Sequence, residues 1–457
     1  MTKLRLAIVG AGPAGIYAAD ILLKTERSFD VSIDLFEQLP APYGLVRYGV
    51  APDHPRIKGV ITALREVLDR GDIRIFGNVR YGEDITLADL KKHYHAVIFA
   101  TGAIRDADLA IPGIDAVGSF GAADFVSWFD GHPDVPREWD LDAESVAVIG
   151  NGNVALDVSR ILAKHAIDLL PTEIPDNVYE GLQASKVTDV HVFGRRGPAQ
   201  VKFTPLELRE LGELRDVDMV VYDEDFDYDE ASLDAIASNK QVKVIDRILQ
   251  QWRTRPSVNN AGGEASRRLH LHFWAKPLEI TRDNDGRVSG IVYERTRPDG
   301  QGGVAGTGEV RTVPIQQLYR AVGYFGSPLP EIPFDEKHGV IPNHEGQVLH
   351  PDSNERVPGV YATGWIKRGP VGLIGHTKSD AMETIQHLVN DQGSWWRPED
   401  PSDEAMPALL AERGVAWTDL DGWHRLDEHE VALGAPHERA RVKVVPRDEM
   451  VKISRGE

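Results

Sequence analysis

Residues 4–15 read Leu4-Arg5-Leu6-Ala7-Ile8-Val9-Gly10-Ala11-Gly12-Pro13-Ala14-Gly15. The Leu6–Val9 run is short and apolar and feeds straight into the glycines, as a buried strand ending in a tight turn does. Ile16 to Lys24 has helical periodicity, and Val31 to Glu37 alternates and ends in an acid. Strand, glycine turn, helix and strand make one βαβ unit, which is the context a dinucleotide fingerprint requires. The glycines have separate jobs. Gly10 allows the turn, Gly12 lets a pyrophosphate approach the backbone, and Gly15 lets helix and strand pack closely. The phosphates rest on the helix N-terminus, where free N–H groups favour negative charge. Glu37 stands where a carboxylate accepts hydrogen bonds from a ribose 2′-OH.

A second fingerprint, Gly150-Asn151-Gly152-Asn153-Val154-Ala155, follows the apolar run Val146–Ile149 and opens a helix near Asn153. The next strand, Asp189 to Phe193, ends in Gly194-Arg195-Arg196-Gly197. A pair of planar guanidinium forks in that place clamps a 2′-phosphate. A polar, proline-bearing insertion from Leu170 to Lys186 stretches the spacing beyond the usual ~20 residues. One chain that holds both an unphosphorylated dinucleotide and NADP is most simply a flavoenzyme that takes hydride from NADPH.

Further out, 457 residues are too many for one core. The expected fold is α/β, with two Rossmann-like three-layer domains. An NADP domain at 108–324 is inserted within an FAD domain made of 1–107 and 325–457. Strands are expected in Trp274–Val292 and Glu309–Val322, with turns at Asn284-Asp285-Gly286 and Asp299-Gly300. Ala100-Thr101-Gly102 recurs as Ala362-Thr363-Gly364, an echo expected when two strands of one domain approach the same ligand.

Composition removes several function classes. There is no cysteine, so neither a cysteine-ligated iron–sulfur cluster nor a Cys-x-x-Cys thiol relay is possible. The net charge of −20 argues against nucleic acid and anionic membrane as partners. No apolar run approaches the ~20 residues of a membrane span. The first strand begins almost at Met1, which leaves no room for a leader and points to the cytoplasm. Glu213 to Asp234 is acidic and Lys240 to Arg268 basic, either as two solvated faces or as a docking surface. No metal constellation stands out, and His270-Leu-His272 reads as structural.

The Gln38–Gly59 stretch is a long loop rich in proline and glycine, of the ordered kind that binds ligands. His54 lies in it, either as a proton relay or as a loop holder. Glu207 and Glu210 share one helix face at i, i+3. Glu210 is a candidate partner for His54, or else an ordinary surface carboxylate.

These residues resemble the NADPH-dependent ferredoxin reductases of the adrenodoxin-reductase type, nearly end to end. The resemblance rests on Gly10–Gly15, on YGLVRYGVAPDHPRIK (Tyr43 to Lys58) and on GNGNVALDVSR (Gly150 to Arg160). It rests also on GRRGPAQVKFTPLELREL (Gly194 to Leu211) and ATGWIKRGPVGLIGHTK (Ala362 to Lys378). It implies FAD contacts at Ala14, Glu37, Leu45 and Val79. Trp365 and Gly372-Leu373-Ile374 would lie over the isoalloxazine, with Gly372 also on the nicotinamide side. Asn151, Gly152, Asn153, Val154, Arg195, Arg196 and Glu207 would bind NADP. The implied partner is a small iron–sulfur ferredoxin, with the Lys240–Arg268 block as its candidate dock and a cytochrome P450 further downstream. An NADPH-dependent flavin oxygenase is a rival reading, but no oxygenase signature lies between the fingerprints. The electron-input subunit of a larger synthase is another, and it would carry N-terminal cysteine clusters.

Overall fold

The computed structural model describes residues 3–254, 265–300, 303–371 and 376–457. Two largely parallel sheets carry the two fingerprints. In the first, Lys3–Val9 lies between Ala96–Phe99 and Asp30–Glu37, with Ile73–Gly77 beyond one neighbour and Arg356–Ala362 beyond the other. Two short antiparallel strands, Gln347–Leu349 and Asn343–His344, finish that edge. The second sheet is parallel throughout, in the order Ser119–Gly121, Gln317–Arg320, Ser145–Ile149, Asp189–Phe193, Arg267–His272 and Val217–Val221. In both sheets the fingerprint strand is interior and the strand order reverses beside it. Open α/β sheets form their ligand crevice at that switch point.

The chain leaves the first sheet after Ala96–Phe99, builds the whole of the second, and returns at Asn343–His344. Where it crosses, Arg105–Asp106 and Tyr324–Phe325 pair as a two-stranded antiparallel ribbon. The twin Ala-Thr-Gly runs end neighbouring parallel strands, with Phe99 opposite Ala362.

Strands covered on both faces read as near-continuous apolar runs, and Leu4 to Val9 is buried throughout. Its one charge, Arg5, is buried against Asp34 of the next strand at 2.7 Å. The three antiparallel strands Ala275–Arg282, Val288–Pro298 and Val304–Pro314 cover one face of the second sheet. There Val288, Ile291 and Tyr293 pack on Ala147, Ile149 and Phe193. The Leu170–Lys186 insertion contains a helix, Asp176–Gln183, seated by Val178 and Leu182. The C-terminal helices pack on the first sheet, Trp423, Leu426 and Met450 on one face and Met406 and Leu410 on the other. No helix among the described residues is long and apolar enough to cross a membrane.

Candidate active site

The two crevices are built alike. Gly10 donates its N–H to Phe36 O at 2.8 Å, and Gly150 donates to Phe193 O at 3.1 Å. A Cβ on Gly10 would sit 2.4 Å from Ala100 O, and one on Gly150 would sit 2.3 Å from Ala321 O. Both glycines therefore let two strand ends close at the switch point, and Gly10 also holds φ at +111°. A Cβ on Gly15 would meet Gly10 O at 2.0 Å, so this glycine is required by helix packing. Gly12 and Gly152 differ from these. A Cβ on Gly12 would find nothing nearer than 3.8 Å, and one on Gly152 nothing within 4 Å. A Cβ is tolerated there by the described residues, and the open space lies at the N-termini of helices Pro13–Lys24 and Asn153–Ala163. That fits a pyrophosphate in each crevice.

Below the first crevice lies a cavity of about 440 Å³. Gly10, Gly12, Ala14, Glu37, Leu45, Val79 and Trp365 line it, as do Thr101, Gly102 and Gly364 from the twin runs. Val154 of the second fingerprint also reaches it. Glu37 accepts from Ala11 N–H at 2.9 Å and from Leu39 N–H at 3.1 Å, one on each oxygen. A carboxylate offers about four acceptor sites, so capacity remains for ribose hydroxyls. Burial pushes its pKa up to about 7, against the pull of those backbone N–H groups. These residues suit FAD. Gly372, Leu373 and Ile374 lie outside the described residues.

In the second crevice the Asn151 Nδ2 is buried without a hydrogen-bond partner, a donor left for a ligand. The Asn153 side chain is engaged within the protein, its Oδ1 accepting from Thr204 N–H at 2.9 Å. The pairing of Ile149 with Phe193 brings Gly194 against Asn151, two residues ahead of Arg196. Arg195 and Arg196 have their backbone carbonyls held by Thr296 Oγ1 and Trp274 N–H. Their guanidinium groups have no ion pair or hydrogen bond with any described residue. This is notable in a chain whose cations are mostly paired. The residues suit a 2′-phosphorylated nucleotide.

His54 does not line the flavin-side cavity. Its ring is buried against helices Asn153–Ala163 and Pro205–Gly212. Its Nε2 lies 2.8 Å from Asp157 Oδ1 and 3.1 Å from Glu207 Oε2, and its Nδ1 lies 3.0 Å from Glu210 Oε2. Arg160 grips Asp53 with two hydrogen bonds of 2.9 Å and meets Asp157 at 2.8 Å, while Lys164 meets Asp53 at 2.7 Å. Four carboxylates thus face two permanent cations. Burial opposes a charge on His54, but Asp157, Glu207 and Glu210 outweigh burial and Arg160, lifting it to about 11. The three carboxylates favour a proton on His54, against Arg160, whose Nη2 lies 2.7 Å from the His54 Nε2. Of its acids, Glu210 is the most exposed. Sequence reasoning paired His54 with Glu210 but missed Asp53, Asp157, Arg160 and Lys164. The signal was present in the helical spacing of Asp157, Arg160 and Lys164, which share one face.

Asp189, His191 and His270 also come together, within 4.8 Å. Both ring nitrogens of His270 are engaged, by Asp189 at 2.9 Å and Tyr222 at 3.0 Å, and Arg268 grips Asp189. The group is satisfied within the protein. In the basic block, helix Lys240–Thr254 buries Ile245, Ile248, Leu249 and Trp252. It exposes Lys240, Lys243 and Arg247 along one stripe, without ion pairs among the described residues. Arg253 is tied to Asp223 at 2.9 Å and lies over Phe226, and Arg255 lies outside the described residues.

Residues 4–195 match the family model of the pyridine nucleotide-disulphide oxidoreductases. Over its whole length the chain is 40% identical to the NADPH-ferredoxin reductase FprA of Mycobacterium tuberculosis, covering 100% of both proteins. It is 36% identical to the mitochondrial NADPH:adrenodoxin oxidoreductase of Homo sapiens, over 98% of this chain and 91% of that protein. The solved structure of M. tuberculosis FprA in complex with NADPH superposes with a TM-score of 0.90 at 39% identity, covering 99% of this chain and 100% of that one. The chain belongs to the family of NADPH-ferredoxin reductases and NADPH:adrenodoxin oxidoreductases.

Proposed function

We propose that this protein takes hydride from NADPH onto FAD and passes the electrons singly to a small iron–sulfur ferredoxin. FAD, when bound, supplies the conversion from a two-electron donor to a one-electron acceptor. The chain's own residues bind, orient and hold protons. Gly10, Gly12, Ala14, Gly15, Glu37, Leu45 and Val79 bind the flavin nucleotide, with Glu37 on a ribose. Trp365 and Gly372-Leu373-Ile374 cover its ring end. Asn151, Gly152, Asn153 and Val154 receive the NADPH pyrophosphate, Asn153 through its backbone, and Glu207 lies toward the nicotinamide-side ribose. Arg195 and Arg196 clamp the 2′-phosphate. His54 holds a proton that Glu210 exchanges with solvent. The observation that carries the reading is the pair of guanidinium groups past the second crevice that have no partner among the described residues, beside an acid-ended first crevice.

The division of labour follows the two sheets, with 1–107 and 325–457 as the FAD-binding domain and 108–324 as the NADP-binding domain. An acidic ferredoxin docks on the Lys240–Arg268 block, chiefly on Lys240, Lys243 and Arg247, whose charges have no ion pair among the described residues. The cytoplasm is its compartment, and a cytochrome P450 is the downstream consumer of its electrons.

An anaerobic titration tests the reading. A yellow protein bleached far more readily by NADPH than by NADH is expected. A colourless protein that takes up no FAD overturns it, and equal bleaching by both nucleotides removes the arginine clamp.

A further inference from the structure

The residues after Gln392 are absent from every motif above, yet one of their lysines lies at the centre of a buried junction. The side chain of Lys443 is only 1% exposed. An ammonium has three donors and no acceptor. Those of Lys443 meet Arg47 O at 2.8 Å, Asp130 O at 2.9 Å and Glu173 Oε1 at 2.7 Å, in three separate parts of the chain. Two of the parts wall the flavin-side cavity. Arg47 belongs to the turn Leu45–Tyr48, whose Leu45, Val46 and Tyr48 line it. Asp130 ends the helix Ala122–Phe129, and His132 and Val135 just beyond it line the cavity too.

The segment that presents Lys443 is itself firmly seated. Val442, Val444 and Val445 are buried. Val442 N–H donates to Glu430 O, and Val444 N–H to Glu430 Oε1, each at 3.0 Å. Glu430 in turn holds the Arg47 guanidinium with both oxygens, at 2.6 and 3.0 Å. The C-terminal segment therefore grips Arg47 twice, by its side chain through Glu430 and by its carbonyl through Lys443. Lys58 reinforces the tie, meeting Glu173 at 2.6 Å and Val46 O at 3.4 Å.

We propose that Lys443 is a positioning residue for the flavin. One ammonium fixes the Leu45–Tyr48 turn relative to the end of helix Ala122–Phe129, and so sets the shape of the cavity. The inference rests on FAD as the occupant of that cavity. A filler would need only the aliphatic stem of the lysine, whereas the three-way contact needs its three donors. An uncharged replacement strands two carbonyls in a dry site and leaves the Glu173 carboxylate to Lys58 and Arg441. A wall displaced by about 1 Å costs up to about 10²-fold in rate when it orients reacting groups.

The test compares holoprotein carrying Lys443→Met, Lys443→Ala or, as an exposed control on the last helix, Lys452→Met. The readouts are FAD release on dilution, the visible circular dichroism of bound flavin, and single-turnover bleaching by NADPH. Both Lys443 variants are expected to release FAD at least about tenfold faster, with altered dichroism, while Lys452→Met matches wild type. n-Propylammonium, which replaces the lysine beyond Cβ, is expected to restore Lys443→Ala but not Lys443→Met. Should Lys443→Ala not fold, Lys443→Met and Glu173→Gln carry the test, with the same direction expected. Wild-type release and dichroism in Lys443→Met overturn the proposal, as does a folded Lys443→Ala protein that propylammonium leaves unchanged. A wild-type protein that takes up no FAD is a different result, and brings down the cofactor reading itself.

Discussion

The two glycine crevices share a frame and differ in what stands at its rim. Each begins with a glycine pressed against a neighbouring strand's carbonyl, and each has an open space beside its third residue, Gly12 or Gly152. The first ends in Glu37, buried, with a backbone N–H on each oxygen. The second ends in Arg195 and Arg196, whose backbone is held while their guanidinium groups have no partner among the described residues. The same open backbone frame thus carries opposite charges at its rim, an acid ending the strand in one crevice and two arginines just past the strand in the other. A buried acid suits a nucleotide that stays. A cationic pair of which Arg195 is exposed and Arg196 half-buried suits one that arrives by charge and leaves after reaction.

The strongest way to break the comparison is to fill each open space. In Gly12→Val the Cβ stands 3.8 Å from Gly44 Cα, an ordinary van der Waals contact, so the fold should persist while FAD uptake is lost, read as a colourless purified protein. Gly152→Val should stay yellow and fail to bleach with NADPH. If both variants behave alike, the two crevices do not hold separate nucleotides.

Next in size is the arginine pair. Arg195→Gln with Arg196→Gln should lower the NADPH over NADH preference in kcat/KM by about 10³-fold, about 4 kcal/mol, through loss of charge-assisted hydrogen bonds to the 2′-phosphate. The NADH rate should hardly move. A matching fall in the NADH rate would assign the arginines to structure.

The acid of the first crevice sharpens the contrast through pH. The pKa of Glu37 in the folded protein is raised from 4.5 to about 7 by burial. Its contribution to the stability of the FAD-free protein is therefore fully present below about pH 4.5, and is lost as pH rises through 7. The difference reaches about 3 kcal/mol. Thermal unfolding of FAD-free protein between pH 5 and 8 should show this slope, and Glu37→Gln should flatten it.

The smallest effect concerns a surface beyond both crevices. Reversing Lys240, Lys243 and Arg247 to Glu should slow ferredoxin reduction about tenfold at low salt and less at high salt. Ferricyanide reduction should be unchanged. Equal loss with both acceptors would remove the dock from this helix.

Much of this architecture is legible in the sequence, because fingerprints are local. Leu4 to Glu37 is one βαβ element and Val146 to Ile161 is a strand, glycine turn and helix, and their glycines and apolar periodicity speak for themselves. The register of Ile149 with Phe193, across the inserted helix Asp176–Gln183, is not fixed by the apolar runs. That helix is not legible, since Val178 and Leu182 are too sparse to mark a buried face among polar neighbours. Nor is the His54 cluster legible as a whole. Asp53 and Arg160 lie far apart in the chain, and Arg160 sits in a fingerprint helix where a basic residue ordinarily faces water. Lys443 is the extreme case, a cation between valines whose three acceptors come from segments that share no pattern with it.

The two-stranded ribbon of Arg105–Asp106 and Tyr324–Phe325 has a consequence for how the chain is made. Everything between those strands belongs to one excursion, and its sheet has all its strands once residue 320 has left the ribosome. The outer sheet, although it begins at Lys3, still lacks Arg356–Ala362 at that moment. The part encoded in the middle can thus close before the part encoded first. The amino-terminal half waits, with one edge of Ala96–Phe99 open, for a partner strand made late in synthesis.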